Sequence, residues 1–180
     1  DTAKIISTYG DGFLLRTDSD KKIESFGNNL NIPIVNLLSP SSHPCQVLSD
    51  VFAIEEIKSK KISKLNICWI GDCNNVLNSL IAASVKFKFN LNIGCHKDYR
   101  PPMHIIDWVK QNNRMINIFT DPIKAAKNAD VVFSDKVVSL NDKGNKKKKI
   151  KDFKNYKINS NIMSVTKPGS IFLHCLPRGN

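Results

Sequence analysis

The chain has 180 residues, which is enough for one ordinary domain, or for one domain and part of a second. Its hydrophobic fraction of 41% and charged fraction of 24% lie close to the averages of soluble globular proteins. No apolar run approaches the about 20 residues that span a bilayer, so the composition excludes a membrane-spanning protein.

The net charge of +11 raises the question of a nucleic-acid partner, because clustered Lys and Arg neutralise phosphates. Much of the excess lies in residues 143–151, which we call the lysine-rich run. No zinc-finger spacing, helix-turn-helix signature or aromatic RNA-binding pattern accompanies it. The sequence therefore favours a solvated loop over a nucleic-acid site. It leaves open a non-catalytic module that binds RNA or another acidic partner through this run.

The five cysteines form no CxxC pair, and their number is odd. Both observations argue against a disulfide framework and against a structural zinc site. No signal peptide can be recognised at the start of the sequence. We therefore expect reduced thiols, no metal and a cytoplasmic location.

The predicted elements before Leu65 are few. The pattern predicts a strand at Gly12–Arg16, a helix at Asp20–Asn29, a second strand at Ile32–Val35 and an amphipathic helix at His43–Ile57. Two strands are too few for an independent sheet with both faces buried. We therefore interpret residues 1–40 as the end of a domain whose first part is absent.

From Leu65 onward, short apolar runs alternate with amphipathic stretches, which is typical of βα units that feed a parallel sheet. The predicted strands are Leu65–Ile70, Leu91–Cys95, Ile116–Phe119, Val131–Phe133 and Ile171–Leu173. The predicted helices are Asn74–Lys88, Pro102–Gln111 and one that begins at Asp121–Pro122. The predicted fold class is α/β with a doubly wound, mostly parallel sheet. Ligands bind such sheets beyond the carboxyl ends of the strands, so the residues after each run are the candidates for a site.

Polar residues do follow these runs. They are Arg16, the string His43-Pro44-Cys45-Gln46, the string Gly71-Asp72-Cys73-Asn74-Asn75, Asp135, Ser139, and the string His174-Cys175-Leu176-Pro177-Arg178. Together they resemble the ornithine carbamoyltransferases of the aspartate/ornithine carbamoyltransferase superfamily. The resemblance runs from Asp1-Thr2-Ala3 to the last string and covers nearly all of the chain.

The resemblance implies a domain organisation and a reaction. Residues 1–40 would be the C-terminal remnant of a carbamoyl-phosphate-binding domain, and residues 41–180 an ornithine-binding domain that is incomplete at its C-terminus. The reaction implied transfers the carbamoyl group of carbamoyl phosphate to the δ-amine of L-ornithine, giving L-citrulline and phosphate, with no metal or organic cofactor. It belongs to arginine biosynthesis or the urea cycle, and in a eukaryote the compartment would be the mitochondrial matrix.

Family members assemble as trimers, so the resemblance implies a homotrimer for the full-length protein. The Ser-x-Arg-Thr segment that binds phosphate in the family would lie upstream of Asp1. We therefore expect this chain to be inactive by itself.

The resemblance assigns catalytic roles to Arg16, His43, Asp135 and Cys175. Arg16 would hold the phosphate and carbonyl oxygens of carbamoyl phosphate, as suits a permanently charged fork. His43 would donate to the carbamoyl oxygen, and Gln46 would bond the carbamoyl nitrogen. On local grounds alone, Arg16 is equally well a surface ion-pair partner and His43 a helix cap.

The resemblance also assigns the ornithine site. Asn75 would reach the substrate carboxylate and Asp135 its ammonium groups, while Cys175 would lie beside the reacting amine. The backbone carbonyls of Cys175 and Leu176 would receive the carbamoyl N–H groups. Aspartate carbamoyltransferases have proline where Cys175 stands, which points to ornithine as the acceptor.

One loop departs from the family pattern. The family usually reads Asp-x-x-x-Ser-Met-Gly, whereas this chain has Ser139, Leu140 and Asn141 at the last three positions. Ser139 and Leu140 are still predicted to contact substrate. The change keeps open an acceptor other than ornithine, such as putrescine or N-acetylornithine. A nucleotide-binding Rossmann module is disfavoured, because no Gly-x-Gly-x-x-Gly turn follows a strand.

Overall fold

The computed structural model describes residues 1–138 and 144–176. Its first part holds a short helix and a two-stranded parallel sheet. The elements in this part are α1 (Thr2–Ile6), β1 (Phe13–Arg16), α2 (Asp20–Gly27) and β2 (Ile34–Leu38). Helix α2 returns the chain from β1 to β2, and the rings of Phe13 and Phe26 stack with centroids 5.4 Å apart.

Helix α3 (Pro44–Lys58) and a 3₁₀ turn at Ile62–Lys64 lead into a five-stranded sheet. The elements of this second part are β3 (Asn66–Ile70), α4 (Asn75–Phe87), β4 (Asn90–Gly94), α5 (Met103–Gln111), β5 (Asn117–Phe119), α6 (Pro122–Ala126), β6 (Val131–Ser134), α7 (Lys146–Asp152), a 3₁₀ turn at Lys154–Tyr156, α8 (Ser160–Met163) and β7 (Ile171–His174).

The strands of the large sheet run in the order β5-β4-β3-β6-β7, and every pairing is parallel. The chain goes from β3 to β4 and β5 on one side, and then crosses to β6 and β7 on the other. This is the doubly wound α/β fold predicted from the sequence, and the five predicted strands are all present.

Alternate residues of β3 face two separate cores. Ile67 and Trp69 pack with side chains of α3, α4 and α5, whereas Cys68 and Ile70 pack with side chains of α6 and α8. These four side chains are at most 1% exposed. Burying an apolar side chain of this size contributes about 1.5–3 kcal/mol, so the two cores stabilise the sheet from both faces.

The lysine-rich run differs from the solvated loop that the sequence predicted. Residues Lys146–Asp152 form α7, whose start is capped by the Asn145 side chain accepting from the backbone N–H of Lys148 at 3.1 Å. Lys149 is only 8% exposed, and its Nζ lies 2.7 Å from Asp72 Oδ2. The buried carboxylate of Asp72, which follows β3, attracts one lysine of the run inward. A run of identical charges does not indicate which lysine this will be.

The predicted helix start at Asp121–Pro122 is confirmed. Asp121 accepts a hydrogen bond from the backbone N–H of Ile123 at 2.9 Å, and Pro122 fills the first helical position. In the described parts of the chain, no helix has both the length and the apolar character needed to cross a membrane.

Candidate active site

The loops that follow β3 and β6 meet at one edge of the large sheet. These two strands are neighbours, yet the chain leaves β3 toward one side of the sheet and reaches β6 only after crossing to the other. Such a switch point opens a crevice beyond the strand ends. The candidate active site lies in this crevice.

Asp135 directly follows β6 and is fixed by hydrogen bonds. Asn74 donates from Nδ2 to Asp135 Oδ2 at 2.6 Å. Oδ1 accepts from the thiol of Cys175 and from the backbone N–H of Lys136, each at 2.6 Å. Because a carboxylate oxygen can accept two hydrogen bonds, Oδ2 keeps one position for a further donor, as far as the described residues go.

Cys175 follows β7 and is half-buried. Burial, and then the hydrogen bond to the Asp135 carboxylate, raise the pKa of the Cys175 thiol to about 12. The thiol is therefore protonated at neutral pH and donates a hydrogen bond to Asp135 Oδ1. A thiol in this state is a hydrogen-bond donor and a poor nucleophile.

The residues on either side of Cys175 have different environments. His174 Nδ1 lies 2.6 Å from the backbone carbonyl oxygen of Cys175, so the ring contacts the carbonyl that the resemblance assigns to the substrate. Leu176 is 87% exposed. Its side chain makes no wall of the cavity.

Helix α3 points its first turn at the same crevice. Pro44 occupies the first helical position, and the backbone N–H of His43 donates to Ser79 Oγ on α4 at 2.8 Å. Gln46, one turn into the helix, lines a small cavity together with Asp135 and Cys175.

His43 is half-buried between charges of opposite sign. Burial, and then the positive charge of Arg16, lower the pKa of His43, while the Asp135 carboxylate acts in the opposite direction. The imidazole is thus neutral at pH 7. Its Nδ1 is buried and has no hydrogen-bond partner among the described residues, an arrangement that calls for a ligand or a water.

Arg16 stands at the end of β1, where the pairing with β2 changes register between Leu15 and Arg16. An irregularity of this kind re-aims the side chain that follows it. The Arg16 residue is exposed, and its charge reaches His43.

The two asparagines after β3 bind different parts of the structure. Asn74 caps α4, with Oδ1 accepting from the backbone N–H groups of Val76 and Leu77, and its Nδ2 holds Asp135. Asn75, the predicted ligand of the substrate carboxylate, donates to the backbone carbonyl of Ser39 at 3.0 Å. Asn75 therefore joins the large sheet to the loop that follows β2.

The structure thus brings three of the predicted residues, Gln46, Asp135 and Cys175, to the lining of one crevice. His43 lies close enough for the charge of Asp135 to affect its pKa. Ser139 and Leu140 lie outside the described residues. Asn74 and His174 belong to strings that the sequence singled out, but neither was given a role there, and Asp50, which also lines the crevice, was not named. Asn74 sits where a capping residue follows a strand, and Asp50 lies four residues after Gln46 on one helix face, so spacing alone could have indicated both. The functional roles stay predictions.

A larger groove lies elsewhere. It has a volume of about 740 Å³ between α3, α4 and α5, and its walls include Val47, Leu48, Ala83 and Phe87. Asp135 and Cys175 are not part of it. Size alone would place the site there, but the polar residues that can bind a diamino acid converge in the smaller crevice.

One group of side chains outside the crevice has the composition of a cation site. The ligand atoms of His96, Asp98 and Asp152 lie within 4.8 Å of one another. However, the Lys148 ammonium lies 3.2 Å from Asp152 and 3.9 Å from Asp98. Its positive charge opposes a metal ion at this position.

Two family models match the chain. The model of the Asp/Orn binding domain of aspartate/ornithine carbamoyltransferases matches residues 63–180, and that of their carbamoyl-P binding domain matches residues 1–56. The matched ranges are separated by residues 57–62, at and just after the end of α3. The domain boundary between residues 40 and 41 stays a prediction.

Named relatives agree with these models. The ornithine carbamoyltransferase of Methanocorpusculum labreanum is 35% identical over 177 residues, which are 98% of this chain and 58% of that protein. That of Brucella ovis is 37% identical over 98% of this chain and 56% of its own length. The chain therefore spans somewhat more than half the length of these curated relatives.

Solved structures give the same result. The anabolic ornithine carbamoyltransferase of Campylobacter jejuni superimposes with a TM-score of 0.92 at 31% identity, over 99% of this chain and 60% of that one. The ornithine carbamoyltransferase of Pyrococcus furiosus has a TM-score of 0.89 at 31% identity, over 98% of this chain and 57% of that one. Sequence, fold and crevice together show that the chain belongs to the aspartate/ornithine carbamoyltransferase family.

Proposed function

We propose that the full-length protein containing this chain transfers the carbamoyl group of carbamoyl phosphate to the δ-amine of L-ornithine, giving L-citrulline and phosphate. The observation that carries the proposal is the Asp135–Cys175 pair at the switch point of the large sheet. Its carboxylate is held in one orientation and keeps an acceptor position for an ammonium group. The similarity to ornithine carbamoyltransferases supports the same reaction.

The attacking group is the neutral δ-amine. Its lone pair forms a bond to the carbamoyl carbon while the carbonyl π electrons move to oxygen. The carbonyl then re-forms as the bond from that carbon to the phosphate oxygen breaks, phosphate departs with the electron pair, and the departing phosphate takes the proton that the nitrogen releases. Arg16 and a neutral His43 supply hydrogen-bond donors for the oxygen that becomes negative.

Cys175 contributes a proton to a hydrogen bond and stays protonated. With its pKa at about 12, the thiol neither attacks substrate nor takes the amine's proton at neutral pH. It saturates Asp135 Oδ1 and leaves Oδ2 to face the substrate. A fixed acceptor of this kind orients the amine before attack.

The model of the carbamoyl-P binding domain matches residues 1–56. The chain as a whole spans 56–58% of the length of the curated relatives. We therefore propose that the activity belongs to the full-length protein, acting as a homotrimer in the cytoplasm in arginine biosynthesis, and that the chain alone is inactive.

The test is citrulline formation from carbamoyl phosphate and ornithine, with this chain compared to the full-length protein. We expect activity only in the full-length protein, and a loss of roughly 100-fold in kcat/KM for ornithine in Asp135→Ala, because a buried ammonium would lose its partner. Cys175→Ala should cost roughly 10-fold, while Cys45→Ala, another half-buried cysteine, serves as the matched control.

The same assay with competing amines tests the acceptor. If putrescine or N-acetylornithine is carbamoylated faster than ornithine, the protein is a related carbamoyltransferase with another acceptor. If none of the three amines yields product, the proposed function is wrong.

A further inference from the structure

A second carboxylate, Asp50, lines the same crevice. It lies on α3, one helical turn after Gln46, and contributes to the cavity formed by Gln46, Asp135 and Cys175. The negative charge of Asp50 also reaches the Cys175 thiol. Asp50 is therefore an unassigned group inside the candidate active site.

The contact between Asp50 and Gln46 fixes which way the Gln46 amide points. Gln46 Nε2 donates to Asp50 Oδ1 at 3.0 Å. An ionised carboxylate only accepts hydrogen bonds, so it selects the amide nitrogen and turns the amide oxygen Oε1 away. The charge makes this bond stronger than one between neutral groups.

The orientation of the amide matters for the ligand. The nitrogen of a carbamoyl group carries two N–H donors, and its lone pair is delocalised into the carbonyl. A glutamine that binds this nitrogen must present its oxygen. Asp50 leaves Gln46 in that orientation before the ligand arrives.

We propose that Asp50 is a positioning residue, which holds the Gln46 carboxamide with its oxygen turned toward the carbamoyl group. This inference rests on the proposed function, in which Gln46 meets the carbamoyl nitrogen. Asp50 itself touches neither substrate. Its role is to remove one of the two orientations that the amide would otherwise adopt.

Protonation of Asp50 cancels this selection. Burial raises the pKa of Asp50 to about 6, although the hydrogen bond from Gln46 acts against that shift. A protonated carboxyl can donate as well as accept, so the amide oxygen becomes an equally good partner. Below pH 6 both orientations of Gln46 are allowed, and affinity for the carbamoyl group falls.

Few other titratable groups face Asp50. Among the elements packed on α3, β2 carries none, α4 carries Lys86 near its far end, and the 3₁₀ turn carries Lys64 at the far end of α3. The groups that share the cavity are Asp135, His174 and Cys175. Asp50→Asn separates the titration of Asp50 from theirs, because it leaves all three in place.

The experiment measures the affinity of the full-length protein for phosphonoacetamide, which carries a carboxamide and a phosphonate, by calorimetry between pH 5 and 8. Wild type is compared with Asp50→Asn, Gln46→Ala and the double variant. At each pH, the ratio of wild-type to Asp50→Asn affinity cancels the titration of the ligand itself.

We expect Asp50→Asn to bind about 2-fold more weakly than wild type at pH 7.5, because asparagine accepts either orientation of Gln46 and only half of the molecules then present the amide oxygen. The ratio should fall toward 1 at pH 5. In the Gln46→Ala background, Asp50→Asn should have no further effect, which is the non-additivity expected of two residues acting as a unit. Ornithine affinity should stay unchanged.

Additive effects of the two substitutions, or a ratio that does not change with pH, would overturn the inference. A loss confined to ornithine affinity would also overturn it and make Asp50 an ammonium ligand. Citrulline formation without coupling removes this inference alone. If the two substitutions are non-additive but the protein forms no citrulline, the proposed function alone is wrong. If the protein does not bind phosphonoacetamide, the inference is wrong whether or not citrulline forms.

Discussion

The two sheets of this protein are stabilised to very different degrees. In the five-stranded sheet, Ile67, Trp69 and Ile70 of β3 are at most 1% exposed, with helices packed on both faces. In the two-stranded sheet, no residue of β1 or β2 is buried, and Leu14 remains 59% exposed. One sheet has a core of its own, and the other is a surface layer.

The candidate active site takes residues from both parts. Asp135 and Cys175 stand on the well-packed sheet, whereas Arg16 stands on the surface layer. The two parts are joined by hydrogen bonds such as Asn75 to Ser39 and His43 to Ser79. In the proposed function, the fold therefore preorganises the residues that would bind the acceptor, while the position of Arg16, which would bind the phosphate, depends on this junction.

The largest expected effect comes from a cavity in the large core. Leu77 of α4 is fully buried, and Leu77→Ala should lower the free energy of unfolding by about 4 kcal/mol, since it removes apolar contacts and leaves a void. Urea denaturation followed by circular dichroism measures this. A loss below about 1 kcal/mol would mean that the large sheet is no better packed than the small one.

The next prediction concerns the contribution of the Lys149–Asp72 ion pair to the free energy of unfolding. Lys149→Ala should cost about 3 kcal/mol, because it leaves the Asp72 carboxylate buried without its closest cation. Lys147→Ala, on the exposed side of the same helix, is the matched control and should change stability by less than about 0.5 kcal/mol. Equal effects of the two substitutions would show that α7 is not anchored through Lys149.

Asp50 lies on α3, the helix between the two parts. Its substitution should raise the free energy of unfolding, whereas the two substitutions above lower it. Because burial raises its pKa to about 6 in the folded protein, the folded state binds this proton more tightly than the unfolded chain does. Ionised Asp50 therefore lowers stability above pH 6, and the penalty disappears as the pH falls toward 4.

Asp50→Asn should accordingly raise the free energy of unfolding by about 2 kcal/mol at pH 8 and by almost nothing at pH 4. Thermal unfolding at the two pH values measures the difference. A gain that is the same at both pH values would show that Asp50 is not the titrating group.

The smallest expected effect lies on the small sheet. Leu14→Ala makes the same chemical change as Leu77→Ala, but at a side chain that is mostly exposed, so the free energy of unfolding should change by less than about 0.5 kcal/mol. Denaturation of both variants under one set of conditions gives the comparison directly. A large loss at Leu14 would show that this face is covered in solution.

The sequence predicted the large sheet well, because strands buried on both faces appear as continuous apolar runs bounded by polar residues. The predicted strand Leu65–Ile70 and the observed Asn66–Ile70 differ by one residue. The same pattern indicated that candidate site residues follow the strands. Helix α7 was not predicted, because a run of lysines has no apolar periodicity. The run also does not indicate which lysine turns inward.

The partners within the crevice were harder to predict. Adjacent Asn74 and Asn75 are equivalent in a sequence pattern, and only the start of α4 decides that Asn74 reaches Asp135. The proximity of Cys175 to Asp135 depends on the pairing of β6 with β7, which lie far apart in the sequence. Side-chain contacts between strand ends need the strand order, and the sequence does not give it.

The inward turn of Lys149 gives neighbouring lysines different chemical reactivity. Lys146, Lys147 and Lys148 are exposed to acylating reagents and to trypsin, whereas Lys149 is shielded against Asp72 while the fold is intact. Acylation of Lys149 would require α7 to detach first. The rate of modification at Lys149 therefore reports how often α7 opens locally.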